Sequence, residues 1–255
     1  MGLIQRLQRW REQRLVARHA SPDALWTRTL ADYPFLQEAP APERLRQLAS
    51  LFLATKEFHA AGGLVLTDAM AVAVAAQACL PVLHLGLGLY EGARGIVMHP
   101  AEVRAARRDE EEGGLVHEWD EELAGEAMEG GPLMLAWSAV EVAREQPPDE
   151  PVFNVVIHEF VHLIDMANGA ADGVPPLPNA KESAAWLEGL TRAWDRFADR
   201  VAHREISCID PYGCEALDEF FAVAAEAFFV HPERLKKEDP RLFAQLAGFF
   251  RPNSA

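Results

Sequence analysis

The chain has 255 residues, enough for one large domain or two small ones with a sizeable core. Its 24 Lys and Arg against 39 Asp and Glu give a formal net charge of −15, which excludes nucleic acid as a primary ligand, because phosphate recognition needs clustered cations. Three cysteines, Cys79, Cys208 and Cys214, are odd in number and carry no zinc-finger spacing, so they suit a reducing, cytoplasmic compartment.

The first 34 residues read as a basic helical segment apart from the rest. Arg6, Arg9, Arg11, Arg14 and Arg18 alternate with Leu3, Ile4, Leu7, Trp10 and Leu15 at helical spacing. A first helix with a solvated face accounts for this pattern better than a helix resting on a membrane or an acidic partner. No secretory signal is expected, since the first 30 residues lack a continuous apolar core. Residues 35–255 then read as one domain. Arg44 to Ala61 shows helical periodicity through Leu45, Leu48, Leu51, Phe52 and Phe58. Residues 69–90 hold no Asp, Glu, Lys or Arg, a length able to cross a bilayer. Gln77, Pro81, His84, Gly86 and Gly88 interrupt that segment, so a buried helix between Thr67 and Pro81 is expected, then a buried strand from Val82 to Leu87, and no transmembrane span. Further strands are expected at Gly95–His99, Leu115–Trp119 and Pro132–Trp137. The acidic run Asp109-Glu110-Glu111-Glu112, followed by Gly113-Gly114, reads as a solvated loop without the spaced oxygens of a calcium site. A polar linker, Arg144 to Glu150, leads to the next helix, and Asn179–Val201 forms another with Trp186, Leu190 and Trp194 on one side. Helices and strands do not alternate regularly, so the fold class expected is α+β rather than a doubly wound sheet.

The segment after the linker carries the chemistry. His158-Glu159-Phe160-Val161-His162 places two histidines one helical turn apart, where both imidazoles reach one metal ion. Glu159 then lies beside that ion, where it can take a proton from the attacking water. From Val155 to Met166 every residue is apolar except His158, Glu159, His162 and Asp165, which describes a buried helix with four polar groups that must be satisfied. Asp165 shares the stripe of His158 and His162 and is placed to hold a ligating histidine by its second nitrogen. Asn168-Gly169 ends the helix. Two histidines need a third protein ligand to make a catalytic zinc site, and no third histidine follows at short spacing. Downstream, Asp218 to Phe229 reads as an apolar helix interrupted by Glu219 and Glu226. These lie on one face but about 10 Å apart along the axis, so one of them, not both, can bind the ion directly.

The run from Phe153 to Asp165, the Asp172-Gly173-Val174-Pro175 after it and the stretch from Ile209 to Phe229 resemble the bacterial Mlc titration factor A family of zinc peptidases. Leu80–Leu87 and Gly131–Trp137 fit the same family, so the likeness runs from about Phe35 to Arg251. The spacing of seven from Tyr212 to Glu219 is also similar to that in the peptidase domain of anthrax lethal factor. The resemblance implies His158, His162 and Glu219 as ligands of Zn2+, Glu159 as general base, and Tyr212 as a phenol facing the bound peptide substrate. The toxin has a further acid one turn after its ligand, where this chain has Val223, so the outer supporting role passes to Glu226 or Asp165. The fold implied is zincin-like, mostly helical with a small mixed sheet whose edge strand pairs with an extended peptide; Pro132–Trp137 is the candidate edge. Aminopeptidase activity on short peptides is implied, together with binding of the transcriptional repressor Mlc. A zinc-stabilised protein that only sequesters such a regulator is the alternative, and Glu159 speaks for the enzyme, since a structural zinc site needs no general base.

Overall fold

The computed structural model describes residues 21–110, 116–127, 131–169 and 171–251. The arginine-rich stretch from Arg6 to Arg18 lies outside them. The described chain opens with helix α1 (Asp23–Asp32), whose Trp26 is buried in the common core, and a 3-10 turn at Pro34–Glu38. Helix α2 (Pro42–Thr55) buries Leu45, Leu48 and Phe52 along one stripe, as the periodicity requires. It ends six residues earlier than expected. Lys56 is extended and its ammonium is bound by the carbonyls of Tyr90 and Ala93, and residues Glu57–Ala60 become strand β1 instead. Helix α3 (Asp68–Ala78), capped by the Thr67 hydroxyl, is buried on nearly every side. The expected strand from Val82 to Leu87 does not form. Residues 81–85 are turns closed by the Gly86 N–H on the Val82 carbonyl at 2.7 Å, Gly86 takes φ +87°, and a 3-10 turn follows at Leu87–Tyr90. Among the described residues no helix is long and apolar enough to cross a membrane.

Strands β2 (Gly95–His99), β3 (Val103–Glu110), β4 (Val116–Leu123), β5 (Gly125–Ala127) and β6 (Leu133–Ala136) complete the sheet structure. β3 and β4 form an antiparallel pair by themselves, so Asp109 and Glu110 end a strand rather than lie in a loop. Glu111 and Glu112 lie outside the described residues. The other strands form a mixed sheet in the order β1-β2-β6-β5, parallel except at β5, which runs antiparallel to β6 with Gly125 opposite Leu135. This corrects the expected edge. Pro132–Trp137 supplies β6, an interior strand, and Trp137 starts helix α4 (Trp137–Val142); the edge strands are β1 and β5, of which β5 lies against the helix carrying His158.

After the sheet come α5 (Val155–Asp165), which packs on β5 and β6, then α6 (Ala180–Ala202), α7 (Leu217–Val230), α8 (Pro232–Glu238) and α9 (Pro240–Phe250). α5 and α7 are apolar almost all round and pack against each other at the centre. Phe160 stacks edge-on with Phe52 and Tyr90 on one side, and Phe221 and Phe228 stack with Phe250 on the other. The architecture is α+β, mostly helical, with β5 passing directly over α5.

Candidate metal centre

α5 starts where it does because Asn154 caps it: the side-chain oxygen accepts the Ile157 N–H at 2.9 Å. From that start, His158 and His162 emerge on one face with ring centroids 4.7 Å apart and Nε2 atoms 3.1 Å apart. The first turn of α7 brings Glu219 to them, its Oε2 lying 3.0 Å from His158 Nε2 and 3.3 Å from His162 Nε2. A tetrahedral shell with metal–ligand bonds near 2.0–2.2 Å sets neighbouring ligand atoms about 3.3 Å apart. The three atoms therefore already stand at the edges of such a shell. Glu219 Oε2 is buried and, despite both contacts, meets neither nitrogen in hydrogen-bonding geometry. With the two Nε2 atoms it forms a cluster of three ligand atoms all within 4.8 Å of one another, close enough to share one cation. Among the described residues this is the one group of three His, Cys, Asp or Glu side chains close enough to hold an ion. The donor set, two imidazoles and one carboxylate, fits a divalent metal and leaves a position open.

Glu226, two turns further along α7, is almost fully buried and holds His158 from behind: its Oε1 lies 2.8 Å from His158 Nδ1, and its Oε2 accepts the Asn154 backbone N–H. A carboxylate accepts only, so Nδ1 carries a proton, and Nε2 is the ring nitrogen left to face a metal. Asp165 does something else. Its Oδ2 accepts the Gly173 N–H at 2.8 Å, its Oδ1 has no hydrogen-bond partner, and no contact joins it to a ligating histidine. The heptad spacing puts it on the His158 stripe, but its hydrogen bond goes to the Gly173 loop instead.

Glu159 points to the other side, toward β5. It is 6% exposed and accepts the Ala127 backbone N–H. Gly125 makes room for it: a Cβ at that position would sit 2.6 Å from both Glu159 Cγ and Oε1. Tyr212 stands on the 3-10 turn Pro211–Cys214, with its ring centroid 6.1 Å from that of His158. Asp210 caps the turn by accepting the Tyr212 N–H at 2.8 Å, Trp194 Nε1 donates to the Gly213 carbonyl at 2.8 Å, and Gly213 packs flat on α7, where a Cβ would meet Val223 Cγ2 at 2.6 Å. The ring itself is 42% exposed, at the mouth of the cleft.

Electrostatics separate the carboxylates. Burial would raise Glu219, but the close approach of His158 and His162 outweighs it and holds the group at about 2, ionised at any working pH. Burial raises Glu159, with only partial relief from His158 and His162, and so brings it nearer the range of an effective proton acceptor. Burial likewise raises Asp165, to about 6. For His158 burial acts downward, and its contacts with Glu219 and Glu226 overcome that and lift it well above the ordinary histidine range.

Two hollows flank these residues. One, of about 310 Å³, is lined by Ala124, Phe153, Val155 and Val223 together with His158, Glu159, Asp210, Tyr212 and Glu226. The other, of about 230 Å³, continues past His162 to Met166 and Asp218. The structure thus brings together His158, Glu159, His162, Tyr212, Glu219 and Glu226, and leaves Asp165 apart. Gly125 and Asn154 carry no role in the sequence reading, and Trp194 only a place on a helix face, without its bond to the Tyr212 turn. An asparagine directly before an apolar helix is a readable cap, whereas nothing local marks the other two.

A family model described as glucose-regulated metallo-peptidase M90 matches residues 7–251. An uncharacterized protein of Synechocystis sp. is 32% identical over 245 residues, 94% of this chain and 88% of that relative. A Mlc titration factor A of Serratia proteamaculans is 34% identical over 235 residues, 89% of this chain and 87% of the relative. The protein of that name from Yersinia pestis is 33% identical over 215 residues, 83% and 78% of the two chains.

Proposed function

Because the chain belongs to the glucose-regulated metallo-peptidase M90 family, we propose that it is a zinc-dependent peptidase of zincin-like fold, acting as an aminopeptidase on short peptides. The observation that carries this reading is Glu159, a buried carboxylate beside three converging ligand atoms that is not itself one of them. His158, His162 and Glu219 would hold the zinc, which when bound would supply Lewis acidity to water and to the scissile carbonyl. The protein's own groups do the rest. Glu159 takes the proton from the attacking water on its carboxylate and delivers it to the departing amine. The Tyr212 hydroxyl donates a hydrogen bond to the oxygen on which negative charge develops. β5 offers main-chain groups to an extended peptide, and the hollow walled by Phe153, Val155 and Val223 accepts an apolar side chain next to the bond cut.

Two of the relatives are called Mlc titration factor A, and that name favours a second role for this chain, binding of a transcriptional repressor of the Mlc type. Purified repressor passed over the immobilised protein tests it directly. For the peptidase itself the variant is Glu159→Gln, which removes proton acceptance and no ligand. Zinc content should stay at the parent level while turnover of aminoacyl and short peptide substrates falls by roughly 100-fold or more. Equal rates in variant and parent refute the mechanism.

A further inference from the structure

Behind the metal centre runs a buried chain of side chains that reaches a helix carrying none of the site residues. Gln77, on α3, is fully buried and, apart from Asp68 at the start, is the only polar residue of that helix. Its Nε2 donates to the Ala73 carbonyl at 3.1 Å, and its Oε1 accepts from Asn154 Nδ2 at 2.8 Å. Asn154 Oδ1 accepts the Ile157 N–H, the Asn154 backbone N–H donates to Glu226 Oε2, and Glu226 Oε1 receives His158 Nδ1–H at 2.8 Å. Every member of the chain is at most slightly exposed, and the whole spans α3, α5 and α7.

We propose that Gln77 and Asn154 are positioning residues of the metal centre: through Glu226 they fix the place and the tautomer of His158. The inference rests on the reading of His158, His162 and Glu219 as metal ligands. Its force comes from direction. Gln77 turns its NH2 toward the Ala73 carbonyl, so its oxygen is the atom that faces Asn154. Asn154 must therefore turn its NH2 toward Gln77 and its oxygen toward Ile157, and a reversed amide would set donor against donor at the helix cap and acceptor against acceptor at Gln77. With Asn154 so held, its backbone N–H occupies one oxygen of Glu226, and the other oxygen is left for His158 Nδ1–H. No link in the series can be reversed, and it ends with Nε2 facing the ligand cluster. A helix cap alone would need neither Gln77 nor the donor end of Asn154, since serine caps a helix about as well.

The test uses the full-length, zinc-loaded chain and two readouts, zinc affinity by chelator competition and the visible absorption of the cobalt-substituted protein. Gln77→Met keeps the length of the side chain and removes the acceptor. Asn154→Ser keeps the cap and breaks the link to Gln77. Each should weaken zinc binding about 10- to 100-fold, the range typical of groups that orient a ligand, and shift the cobalt spectrum. Because Gln77→Met strands the Asn154 amide and could harm folding by itself, the double variant Gln77→Met/Asn154→Ser serves as control. It removes both partners, so its Tm should recover toward the parent while zinc affinity stays low. Affinity and spectrum equal to the parent in the single variants, or affinity restored together with Tm in the double variant, would overturn the proposal. A parent chain that binds no zinc overturns the metal centre, and this inference with it. Peptide turnover enters neither readout, so a chain that binds zinc without cleaving peptides still decides the matter.

Discussion

At the scale of single residues, Tyr212 is the group whose position and role diverge most in what they require. Its turn is tied down by Asp210, Trp194 and Gly213, yet the ring stands 42% exposed. A turn tyrosine kept for packing would be buried; this one is presented. Tyr212→Phe should lower turnover roughly 10- to 1000-fold with zinc content unchanged, as loss of one donor to a developing oxyanion does. Asp165 shows the opposite case, a buried acid without a catalytic partner. Its carboxyl is raised by burial to about 6, against 3.8 for an ordinary aspartate. Below pH 4 both folded and unfolded chains hold it protonated; between 4 and 6 only the folded chain does, so stability falls across that window and levels off above it. The Tm of Asp165→Asn relative to the parent should therefore climb from near zero at pH 4 to a plateau above pH 6, measured by thermal melts in a pH series. His158, Glu159 and His162 were legible in sequence because five consecutive residues on a helix settle their own geometry. The partner of His158 was not. Helical spacing tells which residues share a face, and both Asp165 and Glu226 qualify; only the packing of α7 on α5 decides that Glu226 faces Nδ1.

Among the elements, β5 has the least sequence signal, yet it lies against α5 beside Glu159. Three residues, one of them glycine, carry no alternation of apolar and polar side chains, so no strand could be read there, and the stronger pattern of Leu133–Ala136 drew the edge assignment to what is an interior strand. The same tertiary control shortened α2 and unmade the strand at Val82–Leu87, where Gly86 and Pro81 had already been visible as interruptions. The long amphipathic and apolar helices were legible because fifteen or so residues of consistent period leave few alternatives. Gly125 is the test of β5 itself. Gly125→Ala should leave the zinc content intact and lower turnover roughly 100-fold, because the added methyl group falls on Glu159 and displaces the base without touching a ligand. Full activity in that variant would mean that Glu159 works from another rotamer.

For the molecule as a whole, the ligand set joins two helices that belong to the same core but lie far apart in sequence, His158 and His162 on α5 and Glu219 on α7. An ion bound there stabilises the folded chain by mass action. Zinc added to the chelated protein should raise its Tm in proportion to the logarithm of free zinc, and Glu219→Ala should melt like the chelated parent and show no such response. The edge strand β5 has a further consequence, one of affinity. In an antiparallel ladder alternate residues turn both main-chain groups to the same side. The Ala124 carbonyl binds inward to Ala136 and the Ala127 N–H outward to Glu159, and the same alternation turns the Gly125 main-chain groups and the Ala127 carbonyl away from β6, toward where the proposed peptide would lie. Such bonds return about 1 kcal/mol each, while ordering the peptide costs about 1–2 kcal/mol per residue. The two nearly cancel. If this chain acts on peptides as proposed, an edge this short would hold them loosely, and selection among them would fall to the step of turnover rather than to residence in the cleft.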